Sequence, residues 1–237
     1  MKKNIPNIIT LLNLISGSVA LYLVLSGKPQ WAIIFFFAAV VFDFADGLAA
    51  RLLKATSEIG KQLDSLADLV SFGLVPAAMI FMLLQQRSDP PVNGFAELNF
   101  LEKGMLVSVL IVPALAALRL AKYNLLPPSD FFAGLPAPAF ALFWTGVYYD
   151  IVFSGELFGQ AVGGWFLWGV MVVMSVLMVV PLPMLSLKFK SFGLIDNFSR
   201  YLLLLIAAVI LVFTGIAGLP LVILTYILLS LVRILLT

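Results

Sequence analysis

Eight apolar stretches, at about residues 5–26, 30–53, 58–85, 104–122, 133–153, 161–182, 198–215 and 218–236, take up most of this 237-residue chain. A helix needs roughly 20 residues to cross a bilayer, and inside hydrocarbon only helices and closed barrels satisfy their own backbone. Charged residues make up 11% of the chain and hydrophobic ones 62%. A soluble domain carries about 25% charged residues, so no large soluble catalytic domain fits. The expected fold is all-α: a polytopic transmembrane helical bundle of about eight spans, one integral domain over residues 1–237. Gly27-Lys28-Pro29, the polar run 85–99, Pro127-Pro128-Ser129-Asp130, Ser154-Gly155-Glu156, residues 188–197 and Gly218-Leu219-Pro220 mark the breaks. No repeat or low-complexity segment is visible.

The basic residues set the orientation. With the N-terminus in the cytoplasm, Lys2, Lys3, Arg51, Lys54, Lys61, Arg119, Lys122, Lys188, Lys190, Arg200 and Arg233 fall inside. Only Lys28, Arg87 and Lys103 fall outside, so the positive-inside rule places both termini, and the loops after spans 2, 4 and 6, in the cytoplasm. The expected location is the cytoplasmic membrane. The start Met1-Lys2-Lys3 has the charge of a signal peptide, but Asn13, Ser16 and Ser18 interrupt its apolar part and the run continues through Leu25. A retained first helix is expected.

Chemistry is narrowed by two absences. The chain contains neither cysteine nor histidine, which excludes Cys/His zinc sites, Cys-His and Ser-His-Asp mechanisms, and disulfides. Metal binding and proton transfer fall to carboxylates, whose oxygens favour hard divalent cations. Asp43, Asp46, Asp64 and Asp68 lie within apolar spans 2 and 3 near their cytoplasmic ends. An unpaired carboxylate at a helix centre costs about 2.5 to 3.5 kcal/mol, so the four need compensation.

Spacing suggests how they are compensated. Asp43 and Asp46 are three apart, whereas Gly60, Asp64 and Asp68 follow at intervals of four, which puts each set on one helix face. With a short turn around Thr56, Ser57 and Glu58, the two helices are expected to be antiparallel neighbours whose acidic faces meet. Such a cluster needs one or two divalent metals between its carboxylates. Gly47 and Gly60 leave room for a ligand, and Arg51 offers a planar fork for phosphate. The combination, at the depth of lipid headgroups, points to phosphoryl transfer on a phospholipid. Two other readings stay open on the residues alone: aspartates that merely lock the bundle through Arg51, Lys54, Lys61 or Arg119, and a cation transporter.

The run Asp43-Phe44-Ala45-Asp46-Gly47-Leu48-Ala49-Ala50-Arg51, followed by Gly60, Asp64 and Asp68, resembles the signature of the CDP-alcohol phosphatidyltransferase family at eight fixed positions in 26 residues. A chance match at a given start is on the order of 10⁻⁹ at average residue usage. The resemblance implies transfer of a phosphatidyl group from CDP-diacylglycerol to an alcohol, with release of CMP. It implies that Asp43, Asp46 and Asp64 hold Mg²⁺ or Mn²⁺, two ions in the fullest case, and the cytidine diphosphate. Gly47, Ala50, Arg51 and Gly60 would shape that pocket, while Asp68 would deprotonate the acceptor and also touch a metal. The run Pro6-Asn7-Ile8-Ile9-Thr10-Leu11-Leu12-Asn13 is similar to the family's first helix and gives Asn7, Thr10 and Asn13 a supporting role at the nucleotide.

Around that core, Asp64-Ser65-Leu66-Ala67-Asp68-Leu69-Val70-Ser71-Phe72-Gly73 with Pro76 resembles the membrane-integral phosphatidylserine synthases of the family. So do Arg119-Leu120-Ala121-Lys122-Tyr123-Asn124, Gly134-Leu135-Pro136-Ala137-Pro138 and Pro183-Met184-Leu185-Ser186-Leu187-Lys188. The implied acceptor is L-serine, giving phosphatidylserine. Glycerol 3-phosphate or an inositol phosphate is the alternative, though a phosphorylated acceptor should require a stronger basic cluster. Arg119 and Lys122, with Lys188 and Lys190 as a second choice, would hold the serine carboxylate, and Ser65 and Ser71 join them as acceptor-binding candidates. The family core covers about residues 5–192, with two further spans at 198–236 that match by hydropathy only. The resemblance also implies a homodimer working in a lipid bilayer, with no nucleic-acid partner. Phe35, Phe36 and Phe37, the methionines of span 6, and Trp165 with Trp168 read as lipid-facing bulk and interfacial anchors. Pro136, Pro138, Pro181 and Pro183 should kink or end helices.

Overall fold

A computed structural model describes residues 4–87, 98–125, 132–159, 162–185, 193 and 197–236. Helix α1 (Ile5–Leu25) is followed by α2 (Pro29–Leu52) and by α3 (Glu58–Asp68), which runs through a π-helical segment, Leu69–Leu74, into α4 (Val75–Gln86). Then come α5 (Phe100–Ser108), α6 (Ile111–Leu125) and α7 (Ala137–Tyr149), the last extended by a π turn at Asp150–Ser154. Helix α8 (Gly164–Val179) precedes α9 (Phe198–Thr214), a 3₁₀ turn at Gly215–Gly218, and α10 (Leu219–Leu236). A two-residue ribbon pairs β1 (Phe132–Ala133) with β2 (Pro183–Met184) antiparallel, Phe132 opposite Met184.

The helices start where local chemistry tells them to. Proline stands in the first turn of α1, α2, α4 and α7, where its missing N–H costs nothing and its fixed φ suits a helix. Helix α5 opens with a capping box: Asn99 Oδ1 accepts from Glu102 N at 2.9 Å, and the Glu102 carboxylate accepts from Asn99 N at 3.0 Å.

The chain is an all-helical integral membrane protein. Among the described residues, five helical stretches are long and apolar enough to cross a membrane: Ile5–Leu25, Pro29–Leu52, Glu58–Gln86, Phe100–Leu125 and Phe198–Val232. The count differs from the expected eight for two physical reasons. The fifth and sixth stretches give α7 and α8: α7 with its π turn includes Pro138, Tyr148, Tyr149, Asp150 and Ser154, which lower its hydropathy, and α8 is shortened because the chain leaves helix at Val180 before Pro181. The last two form one continuous helical run, turned by the 3₁₀ segment so that α9 and α10 pack on each other.

Helices α4 and α7 form the centre, with Met79, Ile80, Leu83, Leu84, Phe140 and Trp144 fully buried. Three expectations of lipid exposure fail here. Phe36 is fully buried and meets Phe72 edge to face, with centroids 6.3 Å apart. Met171, Met174 and Met178 all point into the bundle. Trp168 donates its indole N–H to Ser108 Oγ at 2.8 Å, so it ties α8 to α5, whereas Trp165 is exposed as expected. Inside a membrane both faces of a helix are apolar, so hydropathy does not say which one is core.

Helix α10 reaches this centre at a glycine. A Cβ at Gly146 of α7 would collide with Pro220 Cδ and come within 2.9 Å of Leu219 Cβ. The proline ring is rigid, so the helices themselves must shift. Gly146→Ala is therefore expected to cost about 1–3 kcal/mol, seen as a lower thermal midpoint of the purified protein in detergent. Gly104→Ala and Gly169→Ala, where the added Cβ meets nothing within 4 Å, should leave the midpoint unchanged or raised.

Candidate active site

Helix α2 ends in a hydrogen-bonded reversal. Lys54 takes a left-handed conformation, φ 49°, while Lys54 N bonds Arg51 O at 3.2 Å and Ala55 N bonds Ala50 O at 3.0 Å. This pairing satisfies the last carbonyls and turns the chain sharply. Ser57 then caps α3, its Oγ accepting from Gly60 N at 3.0 Å.

Helix α1 packs along both acidic helices. As expected their acidic faces meet, at Asp43 of α2 with Asp64 and Asp68 of α3, and toward the Ala55–Ser57 turn a wedge opens between them. The wedge between them is a cavity of about 330 Å³. Pro6, Asn7 and Thr10 line it from α1, Asp46, Gly47 and Ala50 from α2, and Gly60, Lys61 and Asp64 from α3. Gly60 is required by its neighbours, since a Cβ there would lie 2.9 Å from Asn7 Oδ1 and 3.0 Å from Ser57 Oγ. A Cβ at Gly47 would meet no protein atom within 4 Å.

At the inner end of the wedge, Asp43, Asp64 and Asp68 each present an oxygen within 4.8 Å of the other two. The carboxyls of Asp43 and Asp68 are in hydrogen-bonding contact. Asp46 stands outside this triad, faces Thr10, and has a buried Oδ2 without a hydrogen-bond partner. At about 5 Å and an effective dielectric of about 20, each pair of charged carboxylates repels by about 3 kcal/mol. Three of the four expected counter-charges lie elsewhere: Arg51 and Lys54 are exposed, and Lys61 Nζ donates to Asn124 O at 2.7 Å. The fourth, Arg119, interacts with Asp68. Three converging oxygens and a fourth unpartnered one are hard, acceptor-only donors. They fit a divalent cation of the Mg²⁺ or Mn²⁺ type, and the triad can bind one.

Pro76 explains the π-helical segment beside the triad. It has no N–H to bond the Phe72 carbonyl, and the Val75 amide bonds Val70 O, five residues back. Gly73 within the segment admits α6, because a Cβ there would lie 3.3 Å from Ala116 Cβ and 3.6 Å from Pro113 Cα. Arg119 follows Ala116 by three residues on the same face. It is buried, its Nε lacks a partner, and its charge interacts with Asp68, Tyr123 and Tyr226.

The other candidates are distributed unevenly. Thr10 lines the cavity and donates to Pro6 O at 3.0 Å. Asn13 and Ser71 are fully buried away from the cavity and bond each other. Ser65 accepts from Asn124 Nδ2 at 2.8 Å and donates to Lys61 O at 3.2 Å. Arg51 and Lys122 are exposed outside the cavity wall, and Lys188 and Lys190 lie outside the described residues. Tyr226 is a neighbour of Arg119 that sequence reasoning passed over. The available signal was a polar pair, Tyr226 and Ser230, four apart on one face of a mostly apolar helix.

Comparison with known proteins adds to this geometry. The model of the CDP-alcohol phosphatidyltransferase family matches residues 3–182. The chain is 32% identical over 211 residues to the CDP-diacylglycerol–serine O-phosphatidyltransferase of Mycobacterium tuberculosis, covering 86% of this chain and 68% of that protein. It is 36% identical over 138 residues to the Bacillus subtilis protein of the same name, covering 56% of this chain and 69% of that protein. It is 32% identical over 155 residues to the archaetidylserine synthase of Methanothermobacter thermautotrophicus, covering 62% of this chain and 60% of the relative.

A triad that repels itself makes a test independent of any reaction. Asp64→Asn removes one like charge and one ligand together. Its thermal midpoint in EDTA should equal or exceed that of the unsubstituted chain, while the stabilisation that Mn²⁺ confers on the latter should largely vanish. Mn²⁺ affinity, read from the EPR signal of the free ion, is expected to fall at least about tenfold.

Proposed function

The chain belongs to the CDP-alcohol phosphatidyltransferase family, and from that premise we propose that it transfers the phosphatidyl group of CDP-diacylglycerol to the hydroxyl of L-serine, yielding phosphatidylserine and CMP. The observation that carries the reading is the convergence of Asp43, Asp64 and Asp68 beside a cavity shaped by Asn7, Gly47, Ala50 and Gly60, in a chain whose relatives bear serine-transferase names.

The nucleotide half of CDP-diacylglycerol occupies the wedge, and its diacylglycerol half stays in the bilayer. Gly47 and Ala50 keep that wall low enough for the diphosphate to approach, with Thr10 and Asn7 on the facing side. Arg51, at the end of α2, meets phosphate from the mouth. Asp43, Asp64 and Asp68, with Asp46 beside them, hold Mg²⁺ or Mn²⁺, one ion or two, which when bound neutralises the diphosphate oxygens as a Lewis acid. Arg119 holds the serine carboxylate, with Lys122 and Ser65 as further acceptor-side residues. Asp68 takes the proton of the serine hydroxyl as that oxygen attacks the phosphorus bearing diacylglycerol. The bond from that phosphorus to the bridging oxygen breaks, and its electron pair leaves with CMP. This chain has no cysteine or histidine to serve as a nucleophile, so transfer is direct.

Eight spans with both termini cytoplasmic would open the wedge to the cytoplasm, where serine and CMP are soluble. The enzyme would then sit in the cytoplasmic membrane and work as a homodimer.

Two experiments test this reading. CMP release by the purified protein with CDP-diacylglycerol and Mn²⁺ is expected with L-serine and not with glycerol 3-phosphate or inositol phosphate, and EDTA should abolish it. Asp68→Asn should lower the rate at least about a hundredfold, and release with another alcohol would overturn the serine assignment. Gly47→Ala should leave the stability within about 1 kcal/mol of the original yet raise the KM for CDP-diacylglycerol severalfold. An unchanged KM would remove the nucleotide from this wedge.

A further inference from the structure

Asn13 of α1 stands between two residues of the helix that carries Asp64. Its Nδ2 donates to Asp68 Oδ1 at 3.4 Å, and its Oδ1 accepts from the Ser71 hydroxyl at 2.6 Å. The same hydroxyl is 3.4 Å from the Asn13 backbone carbonyl. Both side chains are fully buried and neither lines the cavity. Helix α1 is shaped to admit the hydroxyl, since a Cβ at Gly17, one turn beyond Asn13, would collide with Ser71 Oγ.

The chemistry of the three groups fixes the direction of this chain. A carboxylate only accepts, so it takes the NH₂ end of the amide. The carbonyl end of Asn13 then needs a donor. Ser71 faces two acceptors, Asn13 Oδ1 and Asn13 O, so its hydroxyl donates. The amide orientation follows from its neighbours on both sides.

We propose that Ser71 is a positioning residue: acting through Asn13, it holds the NH₂ of that amide toward Asp68 and so fixes the carboxylate that receives the acceptor's proton. The inference rests on the role given to Asp68 above. Without the Ser71 hydroxyl the amide loses the tether at its carbonyl end, and only the carboxylate itself holds the NH₂. The amide then shifts, and the carboxylate it steadied swings away from the attacking hydroxyl. Turnover falls more than substrate binding, because the lost geometry matters most at the transition state. A hydroxyl that only glued α1 to its neighbour would instead lower stability and spare the turnover of folded protein.

The test uses the full chain in detergent or nanodiscs, with CMP release giving kcat and KM for both substrates and thermal midpoints measured separately. Ser71→Ala is expected to lower kcat by between about tenfold and a hundredfold, with the KM for CDP-diacylglycerol within about twofold. Ser71→Cys, which keeps the volume and weakens the donor, should fall in between. The double variant Asn13→Ala with Ser71→Ala should be no slower than Asn13→Ala alone, because the two act in series. An unchanged kcat in Ser71→Ala, or losses that multiply in the double variant, would overturn the positioning role while leaving the proposed reaction intact. Absence of CMP release from the unsubstituted chain with every alcohol would overturn the reaction and, with it, this role.

Discussion

Mutual repulsion among carboxylates in a low-dielectric bundle is the constraint around which the rest of the molecule is arranged. Asp43, Asp64 and Asp68 converge within 4.8 Å. Arg51 and Lys54 are exposed and Lys61 bonds a backbone carbonyl, so of the four candidate cations Arg119 is the one that interacts with Asp68. One buried cation does not balance three carboxylates, so the bundle must hold them there by packing elsewhere. The surrounding packing supplies that hold: α1 lies along both acidic helices, and the buried pair Phe36 and Phe72 locks α2 to the segment after Asp68. The triad can bind an ion, and an ion there would convert the repulsion into binding energy.

The splaying of α2 from α3 follows from that constraint. Two helices packed face to face would leave no room between their aspartates for a cation or a diphosphate. The reversal at Lys54 and Ala55 joins the helices, and α1 keeps them apart by filling the space beside both. Proline and glycine complete the arrangement on the far side. Pro76 leaves a carbonyl unbonded and widens the helix after Asp68, and Gly73 lets α6 bring Arg119 toward it. Arg119 is thus a buried cation near Asp68 whose Nε has no hydrogen-bond partner.

What could be read from the sequence, and what could not, divides along a physical line. The aspartates and Gly60 were legible because helical periodicity is local: intervals of three and four place residues on one face whatever the tertiary context. The helical stretches were legible because a bilayer demands long apolar runs. Asn13 and Ser71 escaped as a pair because they are 58 residues apart, and the resemblance gave them separate roles, Asn13 at the nucleotide and Ser71 at the acceptor. Phe36 and Met171 were misplaced because an apolar side chain suits lipid and core equally, so composition carries no sign of which way it points. That α2 and α3 bring their acidic faces together was legible from the same spacing, whereas the wedge beside them was not, because a short turn fixes connection and not crossing geometry.

Helix α10 shows why a family resemblance can stop before the fold does. The family match ends at residue 182, yet Leu185, just past β2, is held by α10 through both of its backbone groups: its N–H donates to Ser230 Oγ at 3.1 Å and its carbonyl accepts from the Tyr226 hydroxyl at 3.2 Å. Backbone that leaves a helix inside an apolar bundle must find partners. Here two hydroxyls four residues apart provide them, while Leu219 and Pro220 of the same helix seat on Gly146 of α7. Almost any apolar helix bearing two hydroxyls at that interval would serve, so the requirement constrains few residue identities and leaves little for a signature to match. The catalytic wedge is different, because a carboxylate, a glycine or an amide there has no substitute of the same chemistry and shape.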